Sequence, residues 1–211
     1  MINGNHSKKQ FETALRLGSA TLHEAFERQG DLPAAIHATG RRLSVCGPAL
    51  TVSTLPGNNL LIHRAILQAR PGDILVVAMT ELTTGCHDFG YWGDILTTAA
   101  IAKGIAGLVI DGCVRDIEAI EAMGFPIFAR GTAIRGTAKI AEGEIGGRIH
   151  IGAISISRGD LILGDADGVV VLPAEKTDEI LVRAERRVEK ETAIVEKIKR
   201  GSTTMELYGF E

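Results

Sequence analysis

The sequence predicts an α/β fold with a parallel βαβ unit at its centre and a long helix near its C-terminus. An apolar run over residues 73–79 is followed by a helical segment over 95–103 and by a second apolar, β-branched run over 106–110. This order is typical of a strand, a crossover helix and a second strand buried on both faces. Such crossovers are right-handed, and they make the two strands parallel. An amphipathic segment over 177–200 predicts the long helix.

The segments before this unit predict helices and one strand. Residues 8–29 have a helical pattern, with Ser19 as the cap of a second part that starts at Ala20. Residues 43–55 are rich in apolar and β-branched side chains and predict a strand. Residues 60–69 predict a helix that ends before a Pro-Gly pair.

The segments after the unit change character at Gly131. Before it, residues 117–123 predict a short helix closed by Gly124, and residues 126–129 predict a further parallel strand. After it, Gly-rich turns separate short β-branched runs, which indicates hairpins. One turn, Asp-Ala-Asp-Gly over 165–168, lacks the third acidic position and the spaced Glu of a calcium loop, so we interpret it as a hairpin turn.

The composition limits the classes of protein that this chain can be. With 211 residues, 45% of them hydrophobic, we expect one domain over 1–211 with a core of its own. No apolar run approaches the ~20 residues of a membrane span, and the first residues have no apolar signal region. A net charge of −3 and only one Trp and two Tyr argue against a nucleic-acid partner. Three widely spaced cysteines favour reduced thiols and a cytoplasmic location.

Candidate functional residues follow the two strands of the βαβ unit. Parallel strands end at the same edge of a sheet, so the loops over 80–94 and 111–116 should open onto one crevice. The first loop ends at Asp94, which we predict to be the N-cap of the helix. The second loop ends with Arg115 and Asp116, at the start of another helix. We therefore expect Asp94 to face Arg115 and Asp116 in space.

The chemistry of such a crevice suits a small oxo acid. The helix N-terminus, with the free N–H groups of Ile95 and Leu96, is a site for an anion. The guanidinium of Arg115 can grip a carboxylate in a bidentate way, and the carboxylate of Asp116 can hold a divalent cation. The alternative is a solvated turn in which Asp116 only caps a helix.

The spacing of these residues resembles the signature of the class II, metal-dependent pyruvate aldolases. Twenty residues (95–114) separate Asp94 from Arg115, and Asp116 follows directly, within GDIL and IDGCVRD. These enzymes cleave 4-hydroxy-4-methyl-2-oxoglutarate or 4-carboxy-4-hydroxy-2-oxoadipate, and they belong to the RraA-like family, which also contains a regulator of ribonuclease activity. Further segments in family order are LGSATLHEA (17–25), GPALTV (47–52), PGDILVV (71–77), GDLILGDADGVVVLP (159–173) and a terminal helix with Gly201 and Tyr208.

The resemblance implies an RraA-like layered fold with a central mixed β-sheet flanked by helices. It also implies that Asp116 is the one direct protein ligand of Mg²⁺ or Mn²⁺, and that Arg115 and Asp94 are catalytic. The substrate-binding residues that it implies are Gly93, Asp94, Ile95, Leu96 and Arg115. The implied reaction is cleavage of a 4-hydroxy-2-oxo diacid to pyruvate and a second oxo acid, with decarboxylation of oxaloacetate as a second activity.

The resemblance further implies a homotrimer or homohexamer with sites at the subunit boundaries. In related aldolases a glutamate of the terminal helix enters the site of an adjacent subunit. Glu191, which interrupts the apolar stripe between Val188 and Val195, lies at the corresponding place, and its alternative role is a surface salt bridge. Glu24 is a weaker candidate, since its helix is implied to reach toward a neighbour's crevice.

Substrate recognition stays open at this point. The groups that bind the distal half of the substrate come from the loop over 80–92, including His87 and Asp88, or from another chain. Related aldolases tend to have Asp-Asn where this chain has Asn58-Asn59, which puts an ionic contact at that turn in doubt.

Three other interpretations are open. A Schiff-base aldolase needs a buried lysine, whereas Lys103 should lie at the far end of its helix. A non-enzymatic regulator that binds a ribonuclease resembles a shortened form without the metal aspartate and the final helix, and this chain has both. A sugar- or acid-phosphate enzyme would carry a Gly-rich phosphate loop of the GxxxxGK type, which this sequence lacks.

Overall fold

A curled, mixed β-sheet with helices packed around it forms the centre of this protein, in a computed structural model that describes residues 6–210. The helices are α1 (Lys8–Leu17), α2 (Ser19–Ala25), α3 (Leu60–Gln68), α4 (Asp94–Lys103), α5 (Ile117–Met123), α6 (Thr177–Lys199) and α7 (Thr204–Tyr208). The strands are β1 (His37–Ala38), β2 (Val45–Thr54), β3 (Ile74–Met79), β4 (Gly90–Trp92), β5 (Gly107–Ile110), β6 (Cys113–Val114), β7 (Ile127–Ala129), β8 (Gly131–Thr132), β9 (Gly143–Ile145), β10 (Ile149–Ile151), β11 (Ile154–Ile156), β12 (Leu161–Gly164) and β13 (Val169–Leu172).

The strand order of the main sheet is β1-β7-β5-β3-β2-β12-β13, with β9 paired to β2 as well. Strands β2, β3, β5 and β7 are parallel to one another, and β1, β9, β12 and β13 join antiparallel. The predicted parallel βαβ unit is therefore β3, α4 and β5, and the mixed character of the sheet is confirmed. The helix closed by Gly124 and the parallel strand after it are also present as predicted.

The core lies on both faces of the sheet, which explains why β3 is continuously apolar. Leu75 and Val77 pack into a cluster with residues of α3 and α4, whereas Ile74 and Val76 pack on the other face with the β10–β11 hairpin. A third cluster joins α1, α2 and α6 to β12 and β13. Alternation within one buried strand thus binds two layers of the fold together.

Three short strands form a separate parallel sheet of order β4-β6-β8. These segments were predicted as loops, because strands of two or three residues are too short to show an alternating pattern. This small sheet follows the C-terminal ends of β3, β5 and β7 in the chain. It holds the two loops of the predicted crevice.

The helical segment predicted over 8–29, with a second part starting at Ala20, is present as two helices, but its predicted end and cap are wrong. Gly18, with φ +81°, separates α1 from α2, and α2 ends at Ala25. Ser19 is the first residue of α2 and not its cap, and its hydroxyl donates to Asp165 Oδ1 at 2.6 Å. A long-range polar contact therefore replaced the local cap that the sequence predicted.

The C-terminal half follows the predicted pattern closely. The Asp-Ala-Asp-Gly segment is the turn between β12 and β13, where Asp165 Oδ1 accepts from the Asp167 N–H at 3.0 Å. Helix α6 has 23 residues and buries its first half through Ile180, Leu181 and Ala184. Within residues 6–210, none of the helices combines the length and the apolarity that crossing a bilayer requires.

Candidate active site at the small sheet

The small sheet brings Asp94, Arg115 and Asp116 together at one rim of the molecule. Arg115 follows β6, and its N–H donates to the carbonyl of Trp92 in β4 at 2.9 Å. Asp116 Oδ2 lies 3.4 Å from the Asp94 amide nitrogen and 3.5 Å from Arg115 Nε. The two loops that the sequence placed on the same edge of the sheet thus meet in a single cluster.

Asp94 occupies a different helix position from the predicted one. Gly93 is the N-cap of α4, and Asp94 is its first helical residue. The Asp94 carboxylate accepts from the Ile95 N–H at 2.7 Å through Oδ1. The expected free amide of Ile95 is therefore already bonded, whereas the Leu96 N–H has no acceptor among residues 6–210.

Asp116 has a left-handed backbone conformation, with φ 60° and ψ 38°. This conformation is unfavourable for most residues other than glycine, and short polar side chains such as Asp tolerate it best. It occurs at the N-cap of α5, directly after Arg115. Backbone strain of this kind concentrates at sites where a side chain must be aimed in one direction.

The three residues line a cavity of about 200 Å³ and an adjoining open groove of about 1120 Å³. The side chains of Arg115 and Asp116 are 46% and 39% exposed, so both can reach a ligand. The cavity is lined by Asn59, His63, Gly90, Tyr91, Trp92, Gly93, Asp94, Ile95, Leu96, Arg115, Asp116 and Lys139. All five predicted substrate-binding residues are therefore on its wall.

Three polar residues of this wall were not predicted as a group. Lys139 Nζ lies 2.5 Å from Asn59 Oδ1, and Asn59 also donates through Nδ2 to the carbonyl of Tyr91 at 2.8 Å. His63 follows Asn59 by one helical turn, so the two face the same side. The spacing of four residues between Asn59 and His63 could have indicated His63. Lys139 comes from a segment without regular structure, and no sequence pattern indicated it.

The turn before α3 carries no charge, and the side-chain amide of Asn58 makes neutral contacts. Asn58 Nδ2 donates to the carbonyl of Pro56 at 3.1 Å, and Oδ1 accepts from the Ile140 N–H at 3.1 Å. The ammonium of Lys139 supplies a positive charge at this end of the cavity. It lies beside Asn59, the second residue of the Asn58-Asn59 pair.

The electrostatics of this corner favour a neutral imidazole. Burial lowers the pKa of His63 from its ordinary value of 6.5, and the positive charge of Lys139 lowers it further. Burial is the larger of the two causes, because it removes water from the charged imidazolium. The Lys139 ammonium adds repulsion between like charges. His63 therefore stays uncharged beside a cation at neutral pH.

The remaining candidates lie outside this cavity in a single chain. Glu191 is 44% exposed and pairs with Arg187 at 2.8 Å, while Glu24 lies 3.6 Å from the same guanidinium. His87 Nδ1 lies 2.9 Å from the carbonyl oxygen of Asp111. Lys103 is the last residue of α4, at the far end from the cavity, as the sequence predicted.

The donor atoms suit a hard divalent cation that keeps part of its hydration. Both hydrogen-bond and ion-pair contacts of the Asp116 carboxylate within residues 6–210 use Oδ2, which leaves Oδ1 for a ligand. In the same part of the chain, no group of three or more His, Cys, Asp or Glu side chains is arranged to hold a metal. An ion here would take one or two carboxylate ligands and complete its shell with water or substrate, which is the habit of Mg²⁺.

The fold and the site define an α/β protein with a crevice at the ends of parallel strands, lined by Asp94, Arg115 and Asp116. Residues 19–171 match the RraA-like family, described as Aldolase/RraA. The chain belongs to the RraA-like family.

Individual relatives agree with this membership. A protein of Halalkalibacterium halodurans, provisionally named a 4-hydroxy-4-methyl-2-oxoglutarate aldolase, is 37% identical over 179 residues, which are 84% of this chain and 81% of the relative. An uncharacterized protein from Pseudomonas syringae pv. tomato has a solved structure that matches with a TM-score of 0.84 and 30% identity, covering 98% of this chain and 95% of the other. The name of the first relative and the family description support an aldolase.

The family also includes proteins named for a different role. The structure of RraAS2 from Streptomyces coelicolor, called an unusual member of the RNase ES inhibitor RraA protein family, matches with a TM-score of 0.77 and 26% identity. It covers 93% of this chain and 98% of the other. The shared fold therefore leaves the choice between enzyme and inhibitor to the residues of the site.

Proposed function

We propose that this protein is a divalent-metal-dependent pyruvate aldolase that cleaves a 4-hydroxy-2-oxo diacid into pyruvate and a second oxo acid. The observation that carries the proposal is the meeting of Asp94, Arg115 and Asp116 on one cavity wall, with Asp116 Oδ2 within 3.5 Å of both neighbours. The aldolase name of a relative at 37% identity supports the same reaction class.

Each residue of the cluster has a role in this proposal. Asp116 holds Mg²⁺ or Mn²⁺, which when bound supplies a Lewis acid for the 2-oxo group of the substrate. Arg115 binds the same end of the substrate and stabilises the negative charge that develops there. Gly93, Asp94, Ile95 and Leu96 form the wall against which the pyruvate half lies, with the Leu96 N–H as a donor.

The bond that breaks joins C3 and C4 of the substrate. Its electron pair passes to the pyruvate half as an enolate, and the C4 hydroxyl loses its proton as C4 becomes the second oxo group. Asp94 accepts that proton through a water molecule, assisted by Glu191 of a neighbouring subunit. Protonation of the enolate at C3 then releases pyruvate.

The same residues serve the decarboxylation of oxaloacetate, which passes through the same enolate and needs no base at C4. This second activity requires only Asp116 and Arg115. We propose that the chain assembles as a homotrimer or homohexamer in which Glu191, which does not line the cavity of its own chain, contributes to the cavity of a neighbour. Helix α6 extends well beyond its buried first half, which supports a role between subunits.

Two further features support the proposal. The cations of the cavity suit a diacid substrate, and the cysteines suit a cytoplasmic enzyme. Arg115 and Lys139 both line it, so two cations are available for two carboxylates. The cysteines Cys46, Cys86 and Cys113 are free thiols, which is the state expected in a reducing compartment.

A coupled assay of pyruvate release tests the proposal. Purified protein is supplied with oxaloacetate or a 4-hydroxy-2-oxo diacid and with Mg²⁺ or Mn²⁺, and EDTA is added to a parallel sample. Turnover that EDTA abolishes supports the proposal. The absence of turnover with every 2-oxo acid tested, or full turnover in EDTA, contradicts it.

A parallel arm addresses the Schiff-base alternative through Lys139. Sodium borohydride reduces an imine between a lysine and pyruvate, and mass spectrometry detects the adduct. We expect no adduct, since Lys139 is exposed and is not the buried lysine that a Schiff-base mechanism uses. An adduct on Lys139 contradicts the proposed mechanism.

The second candidate is an inhibitor of a ribonuclease, which the name of the Streptomyces coelicolor relative favours. A pull-down with a purified ribonuclease of that class tests it. Stoichiometric capture together with no turnover of 2-oxo acids would favour the inhibitor over the enzyme.

A further inference from the structure

An ion pair between a buried carboxylate, Asp111, and a partly exposed guanidinium, Arg130, lies where the chain enters the small sheet. The Asp111 side chain is only 3% exposed, and its Oδ1 lies 2.5 Å from Arg130 Nε. His87 completes the group, with Nδ1 2.9 Å from the Asp111 carbonyl oxygen and 4.0 Å from Oδ1. The aldol chemistry proposed above uses none of these three residues.

The members of this group, which we call the entry trio (His87, Asp111 and Arg130), share one topological property. Asp111 precedes β6 by two residues, Arg130 directly precedes β8, and His87 precedes β4 by three. Each member therefore stands where the chain enters one strand of the small sheet. Together they connect the three entry points through side chains.

Main-chain hydrogen bonds fasten the same point to the main sheet. The Asp111 N–H donates to the carbonyl of Val77 in β3 at 2.9 Å, and the Arg130 N–H donates to the carbonyl of Gly112 at 3.0 Å. A carboxylate buried to this degree is costly unless it is paired and hydrogen-bonded. Asp111 lies where the chain passes from β5 of the main sheet to β6 of the small sheet, so its contacts bear on how β6 is placed.

We infer that the Asp111–Arg130 pair is a positioning pair, which fixes β6 between β4 and β8 and thereby aims Arg115 and Asp116 into the cavity. Arg115 and Asp116 directly follow β6, so any slip or rotation of β6 moves both of them. The inference rests on the proposed function for its effect on turnover. Its effect on the small sheet does not depend on that function.

The test compares Asp111→Asn with Asp160→Asn in the full-length protein. Asp160 is also a buried carboxylate, and it accepts from the Ser157 and Ala174 N–H groups far from the cavity in the fold. Hydrogen exchange reports on the small sheet through the Arg115 N–H, bonded to Trp92, and the Ala133 N–H, bonded to Val114. Turnover of oxaloacetate with Mn²⁺ reports on whether Arg115 and Asp116 keep their orientation toward the cavity.

We expect Asp111→Asn to speed exchange at these two amides about ten-fold and to lower kcat/KM about 100-fold, as a displacement near 1 Å does. Asp160→Asn should leave both readouts unchanged, even if it changes the overall stability. Exchange and turnover of Asp111→Asn that match those of the wild type would overturn the inference.

Arg130→Lys keeps the positive charge but loses the Nε contact, so it replaces Asp111→Asn if that variant does not fold. It should show the same faster exchange at Arg115 and Ala133, and unchanged exchange there would equally overturn the inference. If the wild-type protein turns over no 2-oxo acid, the proposed function fails, while the exchange comparison still decides the positioning role. If the wild type is active and both variants behave like it, only the positioning role fails.

Discussion

The Asp116 carboxylate lies directly over Gly93, so that a β-carbon on residue 93 would overlap Asp116 Oδ2. Gly93 has an extended backbone, with φ −156° and ψ −166°, which any residue can adopt. Glycine at this position therefore leaves space for the Asp116 carboxylate, and its backbone freedom is not needed. The N-cap residues of α4 and α5, Gly93 and Asp116, are thus in close steric contact.

Gly93→Ala should displace Asp116 without unfolding the protein. Because the added methyl group meets Oδ2, we expect the Kd for Mn²⁺, measured by titration calorimetry, to rise about ten-fold or more. Gly124→Ala is the control, since its φ of +68° makes alanine costly there but no atom lies within 4 Å of the new β-carbon. Equal Mn²⁺ affinity in Gly93→Ala and wild type would contradict the steric relationship.

Lys139→Met should weaken binding of a diacid substrate more than it slows the reaction. The ammonium lines the cavity beside Asn59, where it can meet the second carboxylate of a diacid. Loss of a charge-assisted hydrogen bond predicts a rise in KM of roughly ten-fold, with kcat changed far less. Lys103→Met serves as the control, because Lys103 lies at the end of α4 that is far from the cavity. A KM that stays at the wild-type value would remove Lys139 from substrate binding.

His63 should make the folded protein less stable in mild acid. Its pKa in the folded state is lowered from 6.5, first by burial and then by Lys139, so the unfolded chain takes up the proton at the higher pH. Stability that is fully present above pH 6.5 is therefore lost as the pH falls from there through the folded-state pKa. His63→Gln should flatten this part of the pH profile in urea unfolding.

The same group gives a direct spectroscopic check. In Lys139→Met, NMR titration of the His63 ring should show a pKa higher than in the wild type but still below 6.5, because burial remains. A His63 pKa that does not respond to this substitution would contradict the electrostatic contact.

Glu191→Gln tests the contribution of a neighbouring subunit. In one chain Glu191 only pairs with Arg187 on the helix surface, and an exposed pair of this kind contributes about 0–1 kcal/mol. Stability should therefore change little, whereas loss of a proton-transfer group should lower kcat for aldol cleavage about 100-fold. Glu189→Gln, on the exposed face of the same helix, is the matched control. Equal kcat values for the two variants would assign Glu191 to the surface.

Oxaloacetate separates the two roles within that experiment. Decarboxylation needs no base at C4, so Glu191→Gln should retain most of this activity. A parallel loss of both activities would indicate damage to the assembly and not to proton transfer.

The large elements were predictable because their patterns are long. The continuous apolar run of β3 and the stripe of α6 each extend over enough residues to separate strand from helix. The rule that parallel strands end at one edge then placed Asp94 near Arg115 and Asp116. The geometry of the cluster could therefore be anticipated without any contact being known.

What could not be predicted depends on short or distant contacts. The small sheet has strands too short for any periodicity, and its register is set by the entry trio and by main-chain bonds to β3. Lys139 reaches the cavity because its neighbour Ala138 is bonded to the turn before α3, donating through its N–H to the Gly57 carbonyl and accepting from the Asn59 N–H. The shift of the N-cap from Asp94 to Gly93 was hidden for a similar reason, since Asp116 supplies the acceptor for the Asp94 amide.

Pyruvate release by wild type and Asp116→Ala, each with Mg²⁺ and with EDTA, tests the role of the cluster most directly. Asp167→Ala, in the exposed β12–β13 turn, controls for the loss of a carboxylate elsewhere. We expect metal-dependent turnover in wild type and Asp167→Ala, and a fall of about 1,000-fold in Asp116→Ala, as for removal of a principal electrostatic stabiliser. Full turnover by Asp116→Ala would contradict a metal site at Asp116 and the aldolase mechanism built on it.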